Sequence, residues 1–333
     1  MKRELKMLIE KAYKKMVPRK LKRSRYLAKI KRNTGAGFEE AEKRINREYK
    51  VSGSGDHINW DDPVRYTEKI NVSKLYHCSM ERAVLSDKMA VRKWVSEKIG
   101  EEYLIPLYGV YDDFDDIDFD ALPDRFVLKC NHDSGSVRIV DKKEINRSQL
   151  DSLKEDYRYF LKRRYAYVGF ELHYDLIKPR ILAEKYMGGN ISDYKFFCFG
   201  GEPFCVAVHY DRKQGHKCNI YDMDWKLLPF VTNDKNGKAE VKCPPDFAEM
   251  KELARVLSVG YDHVRVDFYY IDGRIYFGEM TFTPAGGRMR IDPPEWDEKL
   301  GRLWKFDKGK RSGILKKYKK TDEIVDAIRK GTV

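Results

Sequence analysis

The sequence predicts an α+β protein, and three observations predict it. Its 333 residues are 42% hydrophobic and 13% aromatic, enough apolar surface for a sizeable core divided over two or three domains. Short runs of strand formers end in glycine turns through the middle of the chain. Charged stretches separate those runs with helical spacing, and no repeat or low-complexity segment interrupts the alternation.

The chain opens on an arm. Its net charge is +13, but Met1–Arg32 holds fourteen Lys or Arg and two Glu, so the rest carries only +1. Leu5, Leu8, Ile9, Ala12, Tyr13 and Met16 recur at helical spacing, with lysines on the other face. Such a helix either lies on an anionic membrane surface or docks on the body by its apolar stripe. Nucleic acid is not an expected partner, because no aromatic-rich basic sheet motif or zinc spacing accompanies the charge. No run approaches the roughly 18 to 20 apolar residues of a membrane span, and the arm lacks the apolar stretch of a signal peptide. The expected place is the cytoplasm, with peripheral contact at the inner face of the cytoplasmic membrane. Cys78, Cys130, Cys198, Cys205, Cys218 and Cys243 form no C-x-x-C pair and read as reduced thiols.

Asn33–Asp62, rich in Gly, Ser and charge, reads as weakly structured. Pro63–Tyr111 reads as helical, with Ser86 as N-cap and Asp87 in the first turn of a helix running to Val95. The acidic run Asp112–Asp120 is a solvated loop. Phe126–Cys130 and Val137–Val140 are strands flanking Asn131–Ser136, which together make a hairpin flap. A helix follows over roughly Ser148–Arg164, then a buried strand Ile181–Tyr186, a Gly188-Gly189-Asn190 turn and a strand Tyr194–Phe199. Gly200-Gly201 turns into Phe204–Tyr210, Asp246–Leu257 is helical, a hairpin spans Val264–Thr281, and a basic tail ends in a helix that Thr321 could cap. The expected divisions are an arm and linker over 1–50, a helical region over 51–125, a flap-bearing unit over 126–190, a hairpin-bearing unit over 191–290 and a tail over 291–333.

The last hairpin carries the most chemistry. With Ile271-Asp272-Gly273 as a three-residue loop, Asp267 stands opposite Phe277 and Glu279 lies one diagonal step away on the same face, with Arg265 and Thr281. A two-residue Asp272-Gly273 turn would put the two carboxylates on opposite faces. Two carboxylates and a cation on one sheet face suit a hard cation that bridges phosphates; otherwise they are ordinary surface charges. Lys129 ends a strand and feeds Ser134-Gly135-Ser136, where small residues let backbone N–H groups approach phosphate oxygens. This matches neither the Walker pattern nor the dinucleotide fingerprint. Asp222-Met223-Asp224 has the Asp-x-Asp form of a sugar-nucleotide metal site, at an expected hairpin bend.

The order of these pieces is distinctive: Asp87-Lys88, then Lys129 before a glycine flap, then Glu184-Lys185-Tyr186-Met187, then Arg265-Val-Asp267-Phe before Glu279-Met-Thr-Phe-Thr-Pro284. That succession resembles the ATP-grasp superfamily, whose fold clasps ATP between two α+β subdomains. Phe126-Val-Leu-Lys-Cys-Asn-His-Asp-Ser-Gly135 and Asp193-Tyr-Lys-Phe-Phe-Cys-Phe-Gly200 look like its TupA-like branch, associated with bacterial teichuronopeptide, capsule and other surface polysaccharides. The resemblance spans about Pro63 to Leu303.

It implies ATP and Mg2+ as cofactors. Lys88 and Lys129 would contact phosphates under the flap, including Ser134, Gly135 and Ser136. Glu184 would accept from the adenine amine beside the backbone of Lys185, Tyr186 and Met187, and Asp193 would bind ribose. Asp267 and Glu279 would hold metal. Arg265 would steady the transferring phosphoryl group, with Lys195 also reaching phosphate. Thr281 stands where the superfamily usually has Asn as a metal ligand. Arg288 and Arg290 could bind an acidic acceptor. The implied reaction joins an amino acid or amine to a carboxylated glycan, or its lipid-linked precursor, through an acyl phosphate. A glycosyltransferase and a sugar kinase are the alternatives.

Overall fold

The computed structural model describes residues 19–189, 191–210, 216–233 and 241–332. The apolar stripe of the arm and Asn190 of the glycine turn therefore lie outside the described residues.

The described residues up to Ile99 are helical: α1 (Arg19–Asn33), α2 (Phe38–Ser52), α3 (Tyr66–Tyr76), α4 (Met80–Ser86) and α5 (Val91–Ile99). Contrary to the expectation for Asn33–Asp62, α2 is a full helix. Phe38, Ala41, Ile45 and Tyr49 fall on one face at helical spacing and are buried. The glycines that suggested disorder only bound it, Gly53 closing the helix at φ 76°. Ser86 is the last residue of α4 and no N-cap, and Asp87 follows it in a turn. The helical reading also fails at Leu107–Tyr111, which is strand β1.

Two antiparallel sheets carry the rest. After β1 come β2 (Arg125–Cys130), β3 (Arg138–Asp141), α6 (Arg147–Leu161) and β4 (Ile181–Lys185). They form a four-stranded sheet in the order β1-β4-β2-β3. Phe126, Leu128, Val140, Ile181 and Ala183 pack on Leu153, Tyr157 and Phe160 of α6. Strand alternation thus turns Val127, Lys129 and Glu184 to the opposite face. The second sheet, β7-β6-β5-β8-β9, is built from β5 (Ser192–Phe199), β6 (Glu202–Tyr210), β7 (Lys217–Asp222), β8 (His263–Ile271) and β9 (Arg274–Thr281), with α7 (Phe247–Ser258) before β8. On one face Phe196, Val266 and Phe268 pack on Met250 and Leu257 of α7 and Val95 of α5. On the other, Phe197 and Phe199 pack on Tyr66, Leu300 and Trp304. That second face is apolar at one end only; at the other it carries Asp193, Lys195, Arg265 and Asp267.

The chain ends in α8 (Glu295–Leu303), α9 (Gly309–Lys317) and α10 (Thr321–Arg329). Thr321 is the first residue within α10 and does not cap it; the Glu323 carboxylate accepts from the backbone of Lys319 and Lys320 instead. Ile324 and Val325 of α10 join the core formed by α2, α3 and residues 166–172. No helix among the described residues is long and apolar enough to cross a membrane.

Candidate active site

Between the two sheets lies a cleft of about 510 Å3. The first sheet contributes Val127, Lys129 and Glu184, with Asp133–Val137 and Ile139 of the flap above them; the second contributes Asp193, Lys195, Tyr269, Gly278 and Glu279. The connection Lys185–Gly189 and Ile191 closes one side. The flap forms as the sequence predicts, β2 and β3 pairing Leu128 with Arg138. Gly135, at its tip, has φ 94°, which excludes most side chains. The Ser136 hydroxyl accepts from the Cys130 N–H at 2.8 Å and fixes the root.

Lys88 reaches the cleft, and Asp87 beside it is tied to the flap root. The Asn131 side-chain amide donates to Asp87 Oδ1 at 2.9 Å, and Lys88 Nζ donates to the Asp133 carbonyl at 2.6 Å. These bonds join segments more than forty residues apart, while Asp87 also accepts from the Met89 N–H through its side chain at 2.8 Å and from the Val91 N–H through its carbonyl at 3.0 Å.

The hairpin turn is two residues, not three. Ile271 pairs with Arg274, and Asp272 and Gly273 have φ 50° and 74°, the left-handed pair of a tight hairpin. Alone, that turn would send Asp267 and Glu279 to opposite faces. The register instead shifts between Asp267 and Phe268, where Gly278 is inserted, and Asp267 pairs directly with Glu279 and Arg265 with Thr281. A Cβ on residue 278 would meet the Asp267 carbonyl at 3.0 Å, so any side chain there crowds the bulge.

A continuous network of charge results. Arg265 grips Asp267 with two bonds of 2.7 Å and reaches Glu279 and Thr281 Oγ1 at 3.1 Å each. Lys195 bonds Asp267 and lies 2.8 Å from Asp193. Burial pushes Lys195 and Arg265 down, but the carboxylates of Asp267, Asp193 and Glu279 together outweigh it and hold both cations above their usual range. Across the cleft Lys129 pairs with Glu184 at 2.6 Å, and Arg92 stands 3.8 Å from the same carboxylate.

Among the described residues no group of three or more His, Cys, Asp or Glu is placed to hold a metal. The donors present are two carboxylates and a hydroxyl, all oxygen, which fits magnesium, an ion that takes few protein ligands and completes its shell with phosphate and water. Glu279 is the accessible donor, its side chain 39% exposed; Asp267 is buried beneath Lys195 and Arg265.

The cleft thus gathers Lys88, Lys129, Ser134, Gly135, Ser136, Glu184, Lys185, Tyr186, Met187, Asp193, Lys195 and Glu279. Arg265, Asp267 and Thr281 do not line it but bond Lys195 and Glu279, which do. Arg288 and Arg290 are not brought to it: Arg288 faces Glu48 at 3.6 Å and Arg290 pairs with Asp292 at 2.8 Å. Asp222 ends β7 as a turn brace, its carboxylate accepting from the backbone of Asp224 and Lys226. The sequence reading missed the apolar walls, Ile105, Val127, Val137, Ile139, Ile191 and Tyr269. Val137 and Ile139 are each 54% exposed, and their period-2 spacing on the flap was the available signal.

Comparison with known proteins follows the same lines. The family model described as TupA-like ATPgrasp matches residues 68–305. No curated protein matches the chain. Among solved structures, D-alanine–D-alanine ligase from Bacillus anthracis complexed with ATP is similar at 16% identity and a TM-score of 0.35, over 60% of this chain and 54% of that one. N5-carboxyaminoimidazole synthetase from Staphylococcus aureus complexed with ADP is similar at 16% identity and a TM-score of 0.34, over 60% and 44%. L-amino acid ligase from Bacillus licheniformis gives 15% identity and a TM-score of 0.41, over 75% and 56%. The matched part spans about half the length of these relatives.

Proposed function

The chain belongs to the TupA-like ATP-grasp family, and from that premise we propose that it is an ATP- and magnesium-dependent ligase. The acceptor is a carboxylated glycan of a bacterial surface polysaccharide, or its lipid-linked precursor, joined to an amino acid or amine. A carboxylate oxygen attacks the γ-phosphorus and ADP leaves. The amine nitrogen then attacks the acyl carbon, phosphate leaves, and the amine proton goes to solvent. The basic segment Met1–Arg32 suits an enzyme working beside an anionic membrane.

One observation carries this reading: a single cleft combines apolar walls, Val127, Val137 and Ile139, with the cations Lys88, Lys129 and Lys195, and Glu279 lines it as well. A flat base fits the apolar walls and phosphates fit the cations. Magnesium held by Asp267 and Glu279, with Thr281, would neutralise charge developing on the phosphates. Arg265 positions the two carboxylates, Asp193 reaches a ribose hydroxyl, and the flap excludes water. The direct test follows oxygen from an 18O-labelled uronic acid carboxylate into released phosphate, with ATP and an amine present. Label in phosphate supports the acyl phosphate. ADP release that leaves the label in a phosphorylated sugar means a kinase. Thermal stabilisation by a nucleotide sugar but not by ATP would point to a glycosyltransferase.

A further inference from the structure

A second cavity, of about 350 Å3, opens behind the flap root. It shares no lining residue with the cleft, yet adjoins it through the peptide joining His132 to Asp133. Its rim is cationic: Lys162, Lys178 and Arg329 are exposed there. The local carboxylates are outnumbered. Asp175 lies between Arg164 at 2.6 Å and Arg329 at 3.1 Å, and Asp112 between Lys178 at 2.8 Å and Arg180 at 3.1 Å. Arg329 also meets Asp326 at 3.0 Å, while Lys162 has no ion partner among the described residues.

His132 lines the cavity from its buried side and is 2% exposed. Neither of its ring nitrogens has a hydrogen-bond partner among the described residues. The Arg163 backbone is near enough to favour the charged ring but makes no bond of hydrogen-bonding geometry. Burial first, then the charges of Arg163 and Lys88, keeps the ring below its usual range, against the pull of Asp133. A neutral imidazole offers one N–H, and a buried polar atom without a partner calls for one. Tyr174 forms another wall. Burial raises its phenol, and the charges of Glu171 and Glu279 raise it further.

We propose that this cavity binds an oxyanion, a phosphate or carboxylate group, with the Lys162, Lys178 and Arg329 rim attracting it and the His132 ring donating to it. That the oxyanion belongs to the acceptor substrate rests on the ligase reading; the anion site does not. The test is an NMR titration of the His132 ring, assigned by its loss in His132→Gln, with inorganic phosphate, glucuronate, and potassium chloride at matched ionic strength. The ring resonance should move and saturate with phosphate or glucuronate and stay still with chloride. Response to only one names the group as phosphate or carboxylate. Lys162→Glu with Arg329→Glu should weaken that response at least tenfold, and Lys162→Ala with Arg329→Ala provides the milder variant. Lys129→Met, which alters only the cleft, should keep it. No movement, equal movement with chloride, or a response lost in Lys129→Met and kept in both rim variants would each overturn the proposal.

Discussion

Asp267 and Glu279 face each other directly across β8 and β9, and they do so because Gly278 adds one residue to β9. Gly278→Ala puts a Cβ 3.0 Å from the Asp267 carbonyl and 3.3 Å from Tyr269. The Asp267 carbonyl and the Tyr269 ring must then give by a few tenths of an ångström, at about 1–3 kcal/mol as for other overpacked sites. Urea unfolding should show that loss, and ATP turnover should fall with it. Wild-type values in both would mean the bulge tolerates a side chain.

The two carboxylates should answer differently to neutralisation. Asp267 is buried and holds both Lys195 and Arg265, so Asp267→Asn leaves the buried Arg265 and the half-buried Lys195 short of a partner. Its cost should be about 3–5 kcal/mol, together with lost turnover. Glu279 is partly exposed, so Glu279→Gln should cost less than about 1 kcal/mol yet still abolish turnover. Denaturant midpoints measured beside turnover separate the two; equal stability losses would contradict the burial argument.

Thr281 tests the metal shell. Its hydroxyl is bonded by Arg265 and donates to Glu279, both at 3.1 Å, so it faces the carboxylates. An amide oxygen is a better magnesium ligand than a neutral hydroxyl, and Thr281→Asn should lower the magnesium needed for half-maximal turnover. Overlaying magnesium titrations would show that residue 281 is no ligand.

Val137 and Ile139 leave apolar surface open in the cleft. Val137→Ser with Ile139→Ser removes little buried area, so the melting temperature should barely change. ATP affinity by calorimetry should fall about tenfold, the loss of partial apolar contact with a base. Unchanged affinity would place the base elsewhere.

His77, His173 and His263 are buried, and burial pushes each down to about 3. In the unfolded chain they protonate near the model-peptide value of about 6.5. The folded state therefore binds fewer protons below that value, and stability present above it is lost as pH falls toward 3. Three such groups give a slope on the order of 4 kcal/mol per pH unit, from about 1.4 for each. Their ring resonances should stay flat from pH 8 to 5; a midpoint near 6.5 in any of them would contradict it.

By itself the sequence determined the flap, the final hairpin, most other strands apart from β1 and β7, and the cast of charged residues. Alternation in Asp193-Tyr-Lys-Phe-Phe-Cys-Phe199 already puts Asp193 and Lys195 on one face, because side chains of a strand alternate whatever packs around it. The glycines of the flap and the hairpin likewise mark turns through local backbone sterics. Tertiary structure alone decided the rest. Ser86 looks like an N-cap by local rules, but Asp87 is claimed by Asn131, a partner the sequence does not place nearby. The register of Asp267 and Glu279 depends on where β9 admits an extra residue, and one residue reverses every side chain in a strand. Arg288 follows a buried loop away from the cleft and meets Glu48, from the far N-terminal part of the chain. Local preference acts within a few residues, whereas these outcomes turn on which distant groups compete for the same hydrogen bond or charge.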